Sequence, residues 1–204
     1  SGVEGFCAYA MPAASTTGAA VGEASAKYAA TVGSFEIDEA EVESLTRKLT
    51  APLRNPQGVD PSHVVIAVQE ALFPYDVYIL RTEEKMLAAL KRIREIKRHD
   101  VPRLRALDAH GLRFALEARN MVLSAEVMLA AALHRKESRG SHLRLDYPEI
   151  DNENWLKWIL VELRDDEPVL STRDIPIERY PLRPEHKREL HASIAAARRL
   201  GEEI

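Results

Sequence analysis

Only one of the 204 residues is a cysteine, Cys7. An intramolecular disulfide is therefore excluded, and this chain by itself cannot hold an iron–sulfur cluster or a thiolate zinc site. A lone thiol also fits a reducing compartment. Long apolar runs are missing: no stretch approaches the roughly 18 residues a membrane-spanning helix needs. There is no excess of basic charge, and a formal net charge of -4 argues against wholesale binding to nucleic acid or to an anionic membrane surface. The alanine-rich stretch 8–30 has no basic leader and carries Glu23 and Lys27, so it is not read as a signal peptide. There is no initiator methionine, and the opening SGVEGFCAYAMPAAS reads like the middle of a domain. A piece of a longer protein is expected.

Hydrophobic residues make up 46% of the chain and charged residues 29%, the balance of a soluble globular protein with one large domain or two small ones. Residues 1–11 read as a loop, with a helix from Pro12 to about Val32 closed by Gly33. The small residues Ala13, Ala14, Gly18, Ala19, Gly22 and Ala26 would allow close backbone approach. Asp38 with Glu41 looks like a capping box for a helix carrying Val42, Leu45 and Leu49 on one face. Asp60-Pro61 is a cap followed by an N1 proline, and that helix breaks at Pro74. An apolar stretch runs from Tyr75 to Leu80. Thr82 then caps a helix with the stripe Met86, Leu90, Ile93 and Ile96, broken at Pro102.

The longest helix is predicted from about Leu104 to Lys136. Its second half, VLSAEVMLAAAL, is apolar nearly all round and must be covered on most sides. Trp155–Leu163 and Val169–Ile175 read as a β-hairpin, and Glu185–Leu200 as a last amphipathic helix after Pro181 and Pro184. The fold class is mainly α: a helical bundle around a long central helix, with a small β-hairpin.

The densest chemistry follows the long helix. RKESRGSHLRLDYP, residues 135–148, places Glu137, Arg139, His142, Arg144 and Asp146 within ten positions. Two readings are open. In one, Arg119, Glu126, Glu137 and Arg139 pair with one another or with backbone carbonyls where the loop folds back. In the other, Arg139, His142 and Arg144 line an anion or substrate pocket. Buried polar groups are ordinarily satisfied structure, so a lock is expected, and Arg139→Ala should then cost ~3–5 kcal/mol.

His142 has no Ser or Cys nucleophile in a strained elbow near it, and its spacing from His134 suggests no further metal ligands. His63, His99, His110, His186 and His191 are expected on the surface. The basic face Lys91, Arg92, Arg94, Lys97 and Arg98 is interleaved with Glu95 and lacks an aromatic platform, as expected of a solvated helix face. Gly2 and Gly5 before the first helix make an N-terminus suited to an anion or carbonyl.

Three stretches resemble the flavoprotein subunits of the succinate dehydrogenase/fumarate reductase superfamily, which includes adenylylsulfate reductase and aspartate oxidase. RKESRGSHLRLDYPEIDNENWLK at 135–157 is similar to that family's E-S-R-G-x-H-x-R-x-D-[FY]-P…D-x-N-W-L-K signature. EARNMVLSAEVMLAAAL at 117–133 resembles the long helix before it, and YILRTEEKMLAALKRIREIKR at 78–98 an earlier helix. TTGAAVGEASAKYAA at 16–30 resembles the end of the last helix of the FAD domain.

The resemblance implies that residues 1–33 are the tail of an FAD-binding domain and 34–204 a C-terminal helical domain with a hairpin near 155–175. A gap-free count puts Ala10 and Met11 at the Ser-Leu pair whose backbone approaches the flavin in the intact parent. It puts Gly5 where fumarate reductases carry a catalytic arginine, a departure that puts the usual proton delivery in doubt. No catalytic residue and no metal ligand is assigned. The implied function is structural and partner-docking, within an FAD-dependent oxidoreductase that the fragment does not run alone. Its partners would be the rest of the FAD and capping domains, a second copy of the chain, and an iron–sulfur subunit. Nucleic acid and a direct membrane span are not expected. The implied location is cytoplasmic, or peripheral to the inner membrane through a partner protein. The alternative is a stand-alone helical interaction module without cofactor.

Overall fold

The computed structural model describes residues 7–34, 36–179, 188–190 and 194–195, with the backbone alone at 7–13 and 188–190. It divides into two units, 1–49 and 50–204.

In the first unit, α1 spans Cys7–Thr31 and α2 spans Glu39–Leu49. The helix starts earlier than the sequence pattern suggests, so the expected loop is helical from Cys7 and Pro12 lies within the helix. Proline brings no N–H, so one rung of the ladder is missing there. Gly2 and Gly5 lie outside the described residues. Nothing described stands within 4 Å of where a Cβ would sit at Gly18 or Gly22. Asp38 does cap α2: its Oδ1 accepts from the N–H groups of Ala40 at 2.9 Å and Glu41 at 3.3 Å. The stripe Val42, Leu45 and Leu49 is about half exposed.

The second unit holds the core. Helix α3 (Pro61–Leu72) begins where predicted, with the Asp60 carboxylate accepting from the Ser62 N–H and Pro61 in the first turn. After Pro74 comes one helical turn, α4 (Tyr75–Tyr78), then the two-residue strand β1 (Leu80–Arg81). Thr82 caps α5 (Glu83–His99), whose predicted stripe Met86, Leu90, Ile93 and Ile96 is fully or almost fully buried. Asp108 accepts from the Gly111 N–H at 2.7 Å and so starts the long helix α6 (Ala109–His134) five residues after the expected point. The preceding residues 104–106 are extended and buried at Leu104 and Ala106.

Helices α3, α5 and α6 pack through Val64, Val68 and Leu72 of α3, the α5 stripe, and Ala115, Ala118, Val122, Ala125 and Leu129 of α6. The alanines let the neighbouring helices come close. Gly58 stands in the turn before α3. A Cβ there would collide with the Arg103 carbonyl and the Asn55 side chain, so only glycine fits without displacement.

Beyond α6, strand β2 (Leu143–Arg144) pairs in parallel with β1. Strand β3 (Glu149–Asp151) leads into the helical turn α7 (Asn152–Trp155), capped by Asp151. The hairpin therefore begins at Lys157, not Trp155: β4 (Lys157–Arg164) pairs antiparallel with β5 (Glu167–Asp174). Asp165 and Asp166 make its two-residue turn at φ 51° and 64°, the left-handed pair of a type I′ turn. The hairpin lies along α6 and covers the side that α3 and α5 leave open, as an all-round apolar helix requires.

One element differs outright. The apolar spacing predicts a last helix over Glu185–Leu200, but Arg188–Leu190 forms strand β6, antiparallel to β3. β3 would otherwise present unpaired N–H and C=O groups, and these three residues satisfy them. Ile194 is helical and buried. The rest of that predicted helix, with Pro181, Pro184, His186 and His191, lies outside the described residues. The fold is mainly α around a long central helix, with small two-stranded sheets.

Candidate functional site

The charged run after α6 folds into a clasp. Arg135, Glu137 and Arg139 stand two apart in the irregular segment after α6, which bends at Glu137 and brings the three side chains together. Glu137 is fully buried. Its Oε1 accepts from Arg135 Nη1 at 2.6 Å and Arg139 Nε at 2.8 Å, and its Oε2 from Arg139 Nη2 and the Asp151 N–H, both at 2.9 Å. Arg139 Nη2 also donates to Asn152 Oδ1 at 2.8 Å. Arg135 reaches on to the carbonyls of Trp155 at 2.9 Å and Lys157 at 2.8 Å, and so ties the clasp to the start of the hairpin.

Arg144 is also fully buried. Its Nε and Nη2 donate to the two carboxylate oxygens of Asp146, both at 2.7 Å. Its Nη1 donates to the carbonyls of Ala132, Leu133 and Arg135 at 3.1, 3.3 and 3.2 Å. These are acceptors at the C-terminal end of α6, where a helix has carbonyls without partners and a negative dipole end. Asp146 in turn accepts from the Glu83 N–H at 2.9 Å, at the start of α5. Burial alone would raise the Asp146 carboxyl, but the Arg144 and Glu83 hydrogen bonds outweigh it and hold the group below its ordinary value. Ser138, buried, bonds the Arg144 N–H at 2.7 Å and the Tyr147 carbonyl at 2.9 Å.

His142 faces away from these carboxylates. Arg81 Nη1 lies 3.2 Å from its Nδ1, and its Nε2 lies 3.4 Å from the Arg135 carbonyl. This pattern suits a neutral ring with the proton on Nε2. Burial, and then the charge of Arg81, push its pKa down to about 4, so it is a poor base near neutrality.

Of the two readings of the run, the structure realises the lock for Glu137, Arg139 and Arg144, whose charged groups are taken up by one another, by Asp146 and by backbone. The wider pairing is corrected in detail. Glu126, buried in α6, pairs with Arg94 at 3.0 Å and Lys97 at 2.9 Å on α5, not with the clasp. Arg119 is exposed. Lys97 also bonds the Asp166 carbonyl and lies 3.5 Å from the Asp166 carboxylate, which pins the hairpin tip to α5. Two members of the expected solvated face, Arg94 and Lys97, therefore neutralise a buried carboxylate, and only the complementary charge at Glu126 could have signalled it. Arg81, which in the sequence is only part of a helix-like stretch, is the residue that sequence reasoning missed.

His63, His99 and His110 are exposed as expected. Among the described residues no three His, Cys, Asp or Glu side chains gather to hold a metal ion, and no helix is long and apolar enough to cross a membrane. Ala10 and Met11 lie in the backbone of α1, and their side chains fall outside what is described.

Comparison with known proteins bears on the same region. Residues 70–189 match the family model described as the fumarate reductase flavoprotein C-terminus. An uncharacterized FAD-dependent oxidoreductase of Methanocaldococcus jannaschii is 28% identical over 132 residues, 64% of this chain and 24% of that protein. The succinate dehydrogenase flavoprotein of Bacillus subtilis is 33% identical over 79 residues, 39% of this chain and 13% of that protein. Among solved structures, E. coli quinol fumarate reductase superposes with a TM-score of 0.70 at 27% identity, covering 78% of this chain and 29% of that one. The chain thus spans a quarter or less of the curated relatives named here.

Proposed function

Because the chain belongs to the fumarate reductase flavoprotein C-terminal family, we propose that it serves as the structural and partner-docking domain of an FAD-dependent oxidoreductase and does no redox chemistry alone. The observation that carries this reading is the clasp. Within the run that bears the family resemblance, the carboxylates of Glu137, Asp146 and Asp151 and the guanidinium groups of Arg135, Arg139 and Arg144 are committed to internal bonds, as befits a residue set that holds a domain together. The chemistry would be the flavin's, and the protein's part is to bind and orient it.

In the intact parent, residues 1–33 would complete the FAD domain and 34–204 form the C-terminal helical domain. Ala10 and Met11 would stand near the flavin edge. In a helix beginning at Cys7, the N–H groups of Cys7, Ala8 and Tyr9, directly before that pair, have no acceptor within the helix. The exposed aromatics Phe73, Tyr75 and Tyr78 and the half-exposed stripe of α2 supply apolar surface for the rest of the flavoprotein, for an iron–sulfur subunit or for a second copy of the chain. A peripheral membrane location would follow from such a partner.

The test is purification of the full-length gene product. A bound flavin spectrum, and co-purification of an iron–sulfur protein that is lost when residues 50–204 are deleted, are expected. A full-length product that starts near residue 1 and stays colourless would instead establish the stand-alone helical module.

A further inference from the structure

A groove of about 410 Å³ runs along the end of α6 beside β4, and it carries more positive charge than the clasp neutralises. Arg81 lines it. Among the described residues its Nη1 meets only uncharged acceptors, the Ser141 carbonyl at 3.4 Å and His142 Nδ1 at 3.2 Å. No carboxylate among the described residues acts on it; burial pushes its pKa down, Tyr78 offsets part of that, and the neighbouring Arg144 adds to the lowering. Arg135 lines the same groove, but its carboxylate, Glu137, also serves Arg139. Among the described residues Lys157 pairs with Asp174 alone, at 3.8 Å and largely in solvent. His142 adds a neutral ring. The remainder is apolar: Met128 and Ala132 from α6, and Trp158, 41% exposed, from β4.

A half-buried guanidinium held by two long bonds to neutral acceptors has lost water without a matching counter-charge. A carboxylate is the group that fits its planar fork with two parallel bonds. The hydrocarbon beside it excludes a wholly polar anion as the best fit. We propose that this groove binds a carboxylate on a short apolar stem, with the carboxylate on Arg81 and Lys157 and the stem against Met128 and Trp158. The inference rests on this geometry and is independent of the redox reading above. The group can come from a free organic acid or from an acidic side chain of a polypeptide.

The probe is 4-phenylbutyrate, titrated into the 204-residue chain by calorimetry, with 4-phenylbutanol as its neutral counterpart and inorganic phosphate as the anion without a stem. Saturable binding of the acid is expected, at least tenfold tighter than either control. Arg81→Gln should weaken it at least tenfold while the thermal melt stays in place, and Arg92→Gln, on the far face of α5, should leave it unchanged. If Arg81→Gln does not fold, Trp158→Ala carries the test, with binding again at least tenfold weaker. A blocked peptide, Phe-Glu-Gly, separates the sources: tighter binding than the free acid assigns the site to a polypeptide, weaker binding to a small molecule. Equal binding of the alcohol, equal binding of phosphate, or an Arg81→Gln or Trp158→Ala protein that binds like the parent overturns the proposal.

Discussion

Replacing Arg144 by methionine removes the charge at the centre of the clasp while keeping a side chain of comparable length. Arg144 is fully buried and holds both oxygens of Asp146 and three carbonyls at the end of α6. The variant leaves those carbonyls without their charged donor, a loss of ~1–2 kcal/mol. It also leaves Asp146 with backbone N–H groups, that of Glu83 among them, in place of its charged partner. Breaking a buried pair costs ~3–5 kcal/mol, but the Asp146 side chain is 29% exposed, so water takes up part of that loss. The combined effect should fall near 3–4 kcal/mol, about the scale of one buried pair. Urea unfolding followed by far-ultraviolet circular dichroism measures it, provided the slope m is unchanged. Arg144→Lys, which keeps the charge and loses the fork, should recover about half of the loss. A loss below about 1 kcal/mol for Arg144→Met, the scale of an exposed pair, would refute the reasoning, because it would mean the guanidinium does not hold the helix end.

Arg139→Ala should cost less than the sequence implies, ~1–2 kcal/mol, because Glu137 keeps Arg135 and the Asp151 N–H; the same urea titration checks it. Glu126→Gln should cost ~2–3 kcal/mol by leaving Lys97 short of its buried counter-charge, and a melting temperature within a degree of the parent's would rule this out. His142 has a folded pKa near 4 against an ordinary 6.5. The unfolded chain therefore binds more protons between those values, and stability should be full above pH 6.5 and fall as pH drops toward 4. His142→Gln should flatten that limb of the pH–stability curve, while the limb below pH 3.8, where Asp60 with its pKa of about 2 protonates, should persist.

The helices legible in the sequence are those with local markers. Asp60-Pro61, Thr82 and Asp38 announce their own caps, and the α5 stripe is a pure 3.6-residue period. The hairpin is legible too, because two strand-like runs flank a short polar turn. Its start is displaced because Asp151 caps a helical turn through Trp155, a choice made by one side chain against an otherwise strand-like run. The segment 188–190 misleads because its apolar spacing fits a helix, while its structure is decided by the free edge of β3 some forty residues earlier in the chain. The clasp is partly legible. Pairs two apart, such as Glu137 with Arg139, follow from their nearness in a non-helical segment. The partners of Glu126 and the bond from Asp146 to the start of α5 do not follow, since Arg94, Lys97 and Glu83 come from another helix. Nothing local distinguishes Arg81, whose setting is made by β2 and the end of α6.

Helix α6 is finished by a residue that follows it. His134 ends the helix, yet the guanidinium that meets its last carbonyls comes from Arg144. During synthesis the helix therefore leaves the ribosome open-ended, and its end closes only after the next ten or so residues have turned back on it. A chain stopped between His134 and Arg144 would hold the whole helical sequence but frayed last turns, whereas one stopped after Asp146 would already carry the plug. Any cut made to isolate this helical core should fall beyond that aspartate.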